Sequence, residues 1–149
     1  MITVIEKDIT TVTKGILAHG VNCQGAMGSG VALALKNKFP IIYVRYMNHA
    51  TGHDQLGAAE LITVGEELHV ANCYTQEFYG PGDKRYASVE AIEESLRGVY
   101  TVAANLNLDV YLPKIGAGLG GLDWITDVVP IIEELNSQHE NVDTYICVI

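Results

Sequence analysis

Two glycine-rich stretches carry residue types that could hold an anion. One is segment 18–31, Ala-His-Gly-Val-Asn-Cys-Gln-Gly-Ala-Met-Gly-Ser-Gly-Val, and the other is segment 113–124, Pro-Lys-Ile-Gly-Ala-Gly-Leu-Gly-Gly-Leu-Asp-Trp. Each follows strand-forming residues and precedes a predicted helix. A glycine loop between a strand and a helix presents backbone N–H groups and a helix N-terminus to a phosphate. Because one phosphate needs only one such loop, the pair predicts an extended ligand with two phosphates, or with a phosphate and a sugar.

Close packing is the alternative explanation for these glycines. Glycine also occupies turns that leave no room for a Cβ. A single glycine loop is a weak signal, whereas two loops of the same type favour a ligand site. Neither stretch is a P-loop, because neither contains a Gly-Lys-Ser or Gly-Lys-Thr sequence. The first stretch also reverses the glycine spacing of the Rossmann fingerprint.

Three side chains beside the loops could take part in chemistry. His19 ends a predicted strand next to the first loop, where an imidazole could act near neutral pH as acid, base or phosphate donor. The alternative is a structural histidine bonded to a loop carbonyl. Asp123 follows the second loop and is either a catalytic carboxylate or a helix cap. Cys23 borders the first loop, but no adjacent basic residue would activate its thiol.

The elements that position these loops alternate along the chain. The patterns predict strands at 2–5, 15–19, 60–64, 68–75, 109–115 and 144–149, and helices at 28–39, 41–49, 89–106 and 124–135. The clearest helical spacing places apolar residues at Val89, Ile92, Leu96, Val99, Ala103 and Leu106. This alternation predicts an α/β fold with a mixed sheet and helices on both faces. In such sheets ligands bind in the crevice beyond the carboxyl ends of the strands.

Length and charge limit the classes of function. A chain of 149 residues predicts a single domain spanning 1–149. Nine Lys and Arg stand against eighteen Asp and Glu, a formal net charge of −9, so we expect no general nucleic-acid surface. Without a signal peptide or a membrane-spanning stretch, we expect a cytoplasmic protein with no membrane partner, and a monomer. The three cysteines form no C-x-x-C pair, so we expect no metal site and no disulfide.

The motif His19-x-x-Asn22-Cys23-x-Gly25-x-Met27-Gly28-x-Gly30-Val31-Ala32, together with segment 113–124, resembles the macro domain family. The match is closest to the branch of ADP-ribose 1''-phosphate phosphatases and terminal ADP-ribose–protein glycohydrolases, and it covers essentially the whole chain. The resemblance implies a three-layer α/β/α fold with a mixed central sheet. It also implies that ADP-ribose or a derivative binds without a cofactor.

The resemblance also assigns roles to matching positions. Asp8 would accept a hydrogen bond from the adenine amino group, with Ile9 lining that pocket, although Lys7 stands where the family has glycine. Asn22 would meet the distal ribose. The remaining ligand-binding positions are backbone segments around the ribose and phosphates: Gly28, Ser29, Gly30 and Val31 in the first loop, and Gly116, Ala117, Gly118, Leu119, Gly120 and Gly121 in the second.

The resemblance narrows the reaction to a phosphatase that removes the 1''-phosphate from ADP-ribose 1''-phosphate. His19 matches a histidine of the phosphatase branch, and Asp123 is a second catalytic candidate. The glycohydrolase branch carries a lysine after the fourth strand and an aspartate in the second loop, where this chain has Gln76 and Gly120. The alternatives are an ADP-ribosyl or O-acetyl-ADP-ribose hydrolase with the same pocket, and a non-catalytic reader of ADP-ribose.

Overall fold

Six strands and four α-helices make up the computed structural model, which describes residues 1–48, 52–80 and 85–149. The strands are β1 (Ile2–Glu6), β2 (Gly15–Asn22), β3 (Ala59–Gly65), β4 (Leu68–Gln76), β5 (Val110–Leu112) and β6 (Thr144–Val148). The helices are α1 (Gly30–Lys38), α2 (Ile41–Met47), α3 (Val89–Leu106) and α4 (Val129–Gln138). The strands form one sheet in the order β1-β6-β5-β2-β4-β3. All neighbouring pairs are parallel except β3 and β4, which form an antiparallel hairpin.

The interior strand β2 shows why the sheet is covered on both faces. Its side chains alternate between two cores, with Ile16 and Ala18 in one and Leu17 and Val21 in the other. All four are at most 2% exposed. Strands buried on both faces are typical of a sheet layered between helices. The predicted three-layer fold with a mixed sheet is therefore confirmed.

The buried face of the long helix α3 agrees closely with the face that its apolar spacing predicts. The hydroxyl of Ser88 accepts a hydrogen bond from the Ala91 N–H at 3.2 Å and caps the helix. Ile92, Leu96 and Val99 are fully buried, as their spacing predicts. Leu106, in the last turn, is half exposed, so the apolar face ends one turn earlier than predicted.

Two predicted elements are longer than the observed ones because of local backbone chemistry. α1 begins at Gly30 rather than Gly28, since Ser29 has extended backbone angles and precedes the first helical residue. β5 ends at Leu112 rather than residue 115, since Pro113 has no N–H for a ladder bond and its carbonyl accepts from the Ile115 N–H in a turn.

The last helical region is divided in two. Asp123 caps a π-helical turn over Trp124–Val128, and α4 follows directly. Pro130 lies in the first turn of α4, so its missing N–H falls at the junction with the π-helical turn. The predicted end of the second helix, His49, lies outside the described residues. Across the described ranges, no helix is both long and apolar enough to cross a bilayer.

Candidate functional site

One cleft opens where the carboxyl ends of β2, β4, β5 and β6 meet. Its volume is about 700 Å³, within the usual range for small-molecule sites. Both glycine loops line it, so the structure brings together two segments that lie about 90 residues apart. Its lining consists of His19–Asn22, Ala26–Ala32, Thr75, Gln76, Tyr79, Gly80, Pro113–Gly118, Gly120 and Cys147–Ile149.

The first loop delivers the N-terminus of α1 to the cleft. Ser29 occupies the cap position, but its hydroxyl makes no capping hydrogen bond, and Gly30 has a φ of 60°. The first N–H groups of any α-helix have no partner within the helix. Gly28, Ser29, Gly30 and Val31 all lie along the cleft wall. This wall therefore offers backbone donors to an anion.

Asn22 shapes the first loop by bonding to its backbone. Its Nδ2 donates to the carbonyl of Ala26 at 2.8 Å, and its Oδ1 accepts from the N–H of Gln24 at 2.9 Å. The Tyr46 hydroxyl from α2 donates to the Asn22 carbonyl at 2.6 Å and accepts from the Gly25 N–H at 3.1 Å. Burial raises the pKa of Tyr46, so its hydroxyl keeps the proton that it donates. Asn22 is thus a loop-positioning residue as well as a cleft residue.

The second loop is held by its backbone. The Gly120 carbonyl accepts from the N–H groups of Tyr86 and Ala87 at 2.9 and 3.0 Å, and the Leu122 N–H donates to Gly116. Leu119 belongs to the 3-10 turn Gly118–Gly120, and Gly121 ends that turn with a φ of 80°. Gly116, Ala117, Gly118 and Gly120 line the cleft, whereas Gly121 does not belong to its lining.

His19 lies in the cleft lining, yet its side chain is only 1% exposed. Its Nε2 is 2.7 Å from Oδ1 of Asn72, the residue opposite it in the β2–β4 register. Burial lowers the pKa of His19 to about 4, against a smaller raising effect of the Asn72 hydrogen bond. The ring is therefore neutral at pH 7.

The two aspartates among the predicted site residues lie outside the cleft lining. Oδ1 of Asp123 accepts from the Thr126 N–H at 2.9 Å, so this side chain serves as a helix cap. That hydrogen bond lowers the pKa of its carboxyl group. Oδ1 of Asp8 likewise accepts from the N–H and hydroxyl of Thr10, which lower the pKa of that carboxyl. Ile9, next to it, is buried in the core on the α1–α2 side of the sheet.

The charge of the cleft differs from that of the whole chain. Among the described lining residues there is no Asp or Glu, and Lys114 is the single Lys or Arg. In a chain of net charge −9, a described lining without Asp or Glu side chains repels anions less at close range than the rest of the surface does. Lys114 belongs to the second glycine-rich stretch, and the sequence alone predicted no role for it.

Several lining residues were absent from the predicted site. Thr75 and Gln76 end β4, and Cys147 and Val148 end β6. The signal that would have found them was the parallel pairing itself, because parallel strands end at one edge of a sheet.

Cys23, beside the first loop, is buried. Its burial, and to a smaller extent the negative charge of Glu77, raises the pKa of its thiol. A raised pKa disfavours a reactive thiolate.

Comparison with known proteins decides the family. The family profile described as Macro domain matches residues 18–132. The chain belongs to the macro domain family. This match includes both glycine loops and the whole of β2–β5 apart from the first three residues of β2.

Individual macro domain relatives carry two kinds of name. An ADP-ribose 1''-phosphate phosphatase from Debaryomyces hansenii is 30% identical over 177 residues, covering 95% of this chain and 98% of that protein. A DNA ADP-ribosyl glycohydrolase from Mycobacterium tuberculosis is 30% identical over 129 residues, and this chain spans only 36% of its length. Among solved structures, the macrodomain of Mycobacterium tuberculosis DarG superposes with a TM-score of 0.82 at 28% identity, covering 100% of this chain and 98% of that one.

Proposed function

We propose that this macro domain binds ADP-ribose in the cleft and removes the 1''-phosphate from ADP-ribose 1''-phosphate. The observation that carries the proposal is one cleft walled by two glycine loops, with no Asp or Glu side chain in its described lining. Such a cleft suits ADP-ribose, whose diphosphate lies between its two riboses, and the proposed substrate adds one further phosphate on the second ribose. The volume of about 700 Å³ is adequate for a dinucleotide-sized molecule.

The two loops would hold the diphosphate between them. The N-terminus of α1 and the backbone around Gly118 would each supply N–H donors, and Lys114 would add a positive charge at the rim. Asp8 would meet the adenine amino group from the far end of the cleft. It follows β1, whose neighbour β6 lines the cleft there, and the adjacent Lys7 N–H donates to the Val148 carbonyl at 2.9 Å.

Gln76 and Gly120 favour a phosphatase over a glycohydrolase. A Cβ added to Gly120 would lie 3.6 Å from Oε1 of Gln76, so the two positions are neighbours. The resemblance places a lysine and an aspartate at these positions in the glycohydrolase branch. With glutamine and glycine there, the chain lacks that pair of ionisable groups. The phosphatase of Debaryomyces hansenii, which this chain matches over almost its full length, supports the same choice.

In the proposed hydrolysis, a water oxygen attacks the phosphorus and the bond from phosphorus to the 1''-oxygen breaks. The 1''-oxygen leaves with a proton that comes from the water, giving ADP-ribose and inorganic phosphate. Loop N–H groups would stabilise the negative charge on the phosphoryl oxygens in the transition state. Of the two catalytic candidates, His19 borders the cleft whereas Asp123 is engaged as a cap. We therefore assign contact with the reacting groups to His19.

DNA ADP-ribosyl glycohydrolase activity is the second candidate. It is favoured by the likeness to the Mycobacterium tuberculosis DarG macrodomain, whose TM-score of 0.82 spans this whole chain. A non-catalytic reader would use the same cleft without turnover.

One comparison of substrates separates the three functions. Purified protein is incubated with ADP-ribose 1''-phosphate, with ADP-ribosylated protein and with ADP-ribosylated DNA, and released phosphate and ADP-ribose are quantified. We expect phosphate from the first substrate and no ADP-ribose from the other two. The Gly28→Glu variant, which places a carboxylate at the proposed phosphate position, serves as the inactive control. ADP-ribose released from DNA would favour the second candidate, and ADP-ribose binding without turnover would favour a reader.

A further inference from the structure

The hydrogen bonds around Asn72 determine which ring nitrogen of His19 carries the proton. Asn72 is fully buried, and its Nδ2 donates to the Ile42 carbonyl of α2 at 3.1 Å. That bond fixes the amide, so its Oδ1 is the atom that faces His19. An amide oxygen accepts and cannot donate. Nε2 of His19, 2.7 Å away, must therefore carry the ring proton.

The other ring nitrogen, Nδ1, therefore carries no proton and has a lone pair that can accept a hydrogen bond. Nδ1 of His19 is buried and has no hydrogen-bond partner among the residues that the structure describes. A buried polar atom without a partner is costly in a folded protein and calls for an explanation. His19 borders the cleft, and Nε2 is already occupied by Asn72. Nδ1 is thus the ring nitrogen with hydrogen-bonding capacity to spare, and because it has no exposed surface, a group in the cleft reaches it only when the ring or a neighbouring side chain shifts.

We propose that Asn72 is a positioning residue that holds His19 as a hydrogen-bond acceptor, so that the ligand group at this point of the cleft must be a donor. A ribose hydroxyl or a water molecule can donate to Nδ1, whereas a deprotonated phosphate oxygen cannot. This inference rests on the proposed binding of ADP-ribose, and it removes donation to a phosphate from the roles expected of His19. The phosphates would instead be held by the loop N–H groups.

The groups described around His19 do not favour its protonated form. β4 approaches it through Asn72, and α2 reaches the same amide through the Ile42 carbonyl. Burial and the Asn72 hydrogen bond account for its shifted pKa, with no contribution from a charged side chain of the described residues. The acceptor state therefore persists across the neutral range.

The first test reads the proton directly in the wild-type protein. Nitrogen-15 NMR of the imidazole ring should show a proton on Nε2 and none on Nδ1 from pH 5.5 to 8.5. Saturation with ADP-ribose should shift the Nδ1 resonance as a donor approaches it. A shift with ADP-ribose but not with ADP would identify the donor as a hydroxyl of the second ribose. A proton on Nδ1 in the free protein, or no Nδ1 shift with either ligand, would overturn the inference.

The second test uses Asn72→Asp, which keeps an oxygen facing His19 but adds a negative charge. The carboxylate should raise the pKa of the ring by about 1–3 units. Below that pKa, Nδ1 becomes a donor that opposes the ligand's own donor. We expect ADP-ribose affinity to fall about tenfold at pH 5.5 and to return by pH 8.5. An affinity that rises on protonation would mean that an acceptor such as a phosphate oxygen faces Nδ1.

Asn136→Asp provides the matched control. Asn136 is also buried, and its Nδ2 donates to the Val142 carbonyl at 2.6 Å, away from the cleft. It should lose stability as Asn72→Asp does, without the pH-dependent affinity. If Asn72→Asp does not fold, the wild-type spectra alone decide. Failure of ADP-ribose to bind the wild type would refute the proposed function, whereas the position of the ring proton is read without ligand.

Discussion

The two glycine loops look alike in sequence but are built in different ways. In the first, a Cβ added to Gly28 or Gly30 would meet nothing within 4 Å. In the second, a Cβ on Gly116 would lie 2.5 Å from Cδ1 of Ile92, and one on Gly120 would lie 3.0 Å from Cβ of Ala87, whereas one on Gly118, between them, would meet nothing within 4 Å. The first pair leaves room for a ligand, whereas Gly116 and Gly120 pack against the protein itself and only Gly118 of the three leaves space.

The hydrogen bonds that hold the two loops also differ. Side chains shape the first loop, through the amide of Asn22 and the hydroxyl of Tyr46. Backbone groups shape the second, through the carbonyls of Gly116 and Gly120. A glycine count therefore does not distinguish ligand space from packing, and each glycine has to be judged by what its missing side chain would touch. Substitutions in the two loops should separate stability from affinity.

Gly116→Ala should have the largest effect on stability. Its φ of 79° disfavours a side chain, and the new methyl would overlap Ile92 in the core. We expect a loss of about 2–4 kcal/mol in the free energy of unfolding, measured with urea. Gly28→Ala is the control and should unfold at the same urea concentration as the wild type. Equal losses at both positions would mean that the first loop is also packed.

Gly28→Glu should have the largest effect on binding. A carboxylate at the N-terminus of α1 would compete with the ligand's phosphates for the same N–H donors. We expect ADP-ribose affinity to fall at least about tenfold in calorimetry, with the urea midpoint unchanged. Gly28→Gln matches the size without the charge and should keep most of the affinity. If both variants bind equally weakly, bulk rather than charge blocks the cleft.

Tyr46→Phe should affect stability and affinity together, because the lost hydroxyl organises the first loop. We expect about 1–2 kcal/mol of destabilisation and a several-fold loss of ADP-ribose affinity. The control is Tyr100→Phe, which removes a buried hydroxyl bonded to Thr144 outside the cleft lining. It should lower stability similarly and leave affinity intact. An unchanged affinity in Tyr46→Phe would show that the loop keeps its shape without this hydroxyl.

Lys114→Ala should have the smallest effect. The side chain is exposed, so solvent screens its charge, and we expect about a two- to fivefold loss of affinity. The difference from the wild type should shrink in high salt. Lys14→Ala, which removes a lysine paired with Glu67 away from the cleft, should not change affinity. A salt-independent effect at Lys114 would indicate contact through its alkyl chain instead.

The fold was largely predictable because its signals are local and repeated. The strand-forming residues of β2 and the apolar face of α3 each lie within one element, and both glycine loops were located from their own sequences. β5 was predicted to extend to residue 115 but ends at Leu112, because Pro113 has no N–H to donate to a neighbouring strand.

The interior of the site was less predictable because its contacts join distant segments. The closeness of Gly116 to Ile92 depends on how α3 packs, and the hydroxyl beside Asn22 comes from Tyr46 on α2. His19 was predicted to be a site residue, but its pKa depends first on its burial and then on the hydrogen bond to Asn72, 53 positions later in the chain. No spacing rule connects such pairs before the sheet order is known.

The convergence of four strand ends on the cleft has a consequence for folding. The lining residues run in sequence from His19 to Ile149, so the cleft is built from strands near both ends of the chain. No short fragment contains the site, and a ligand that needs the complete cleft binds only the folded molecule. At 100 times its dissociation constant, such a ligand stabilises the native state by about 2.7 kcal/mol. The whole cooperative unfolding transition should therefore move to higher temperature, rather than one loop becoming protected by itself.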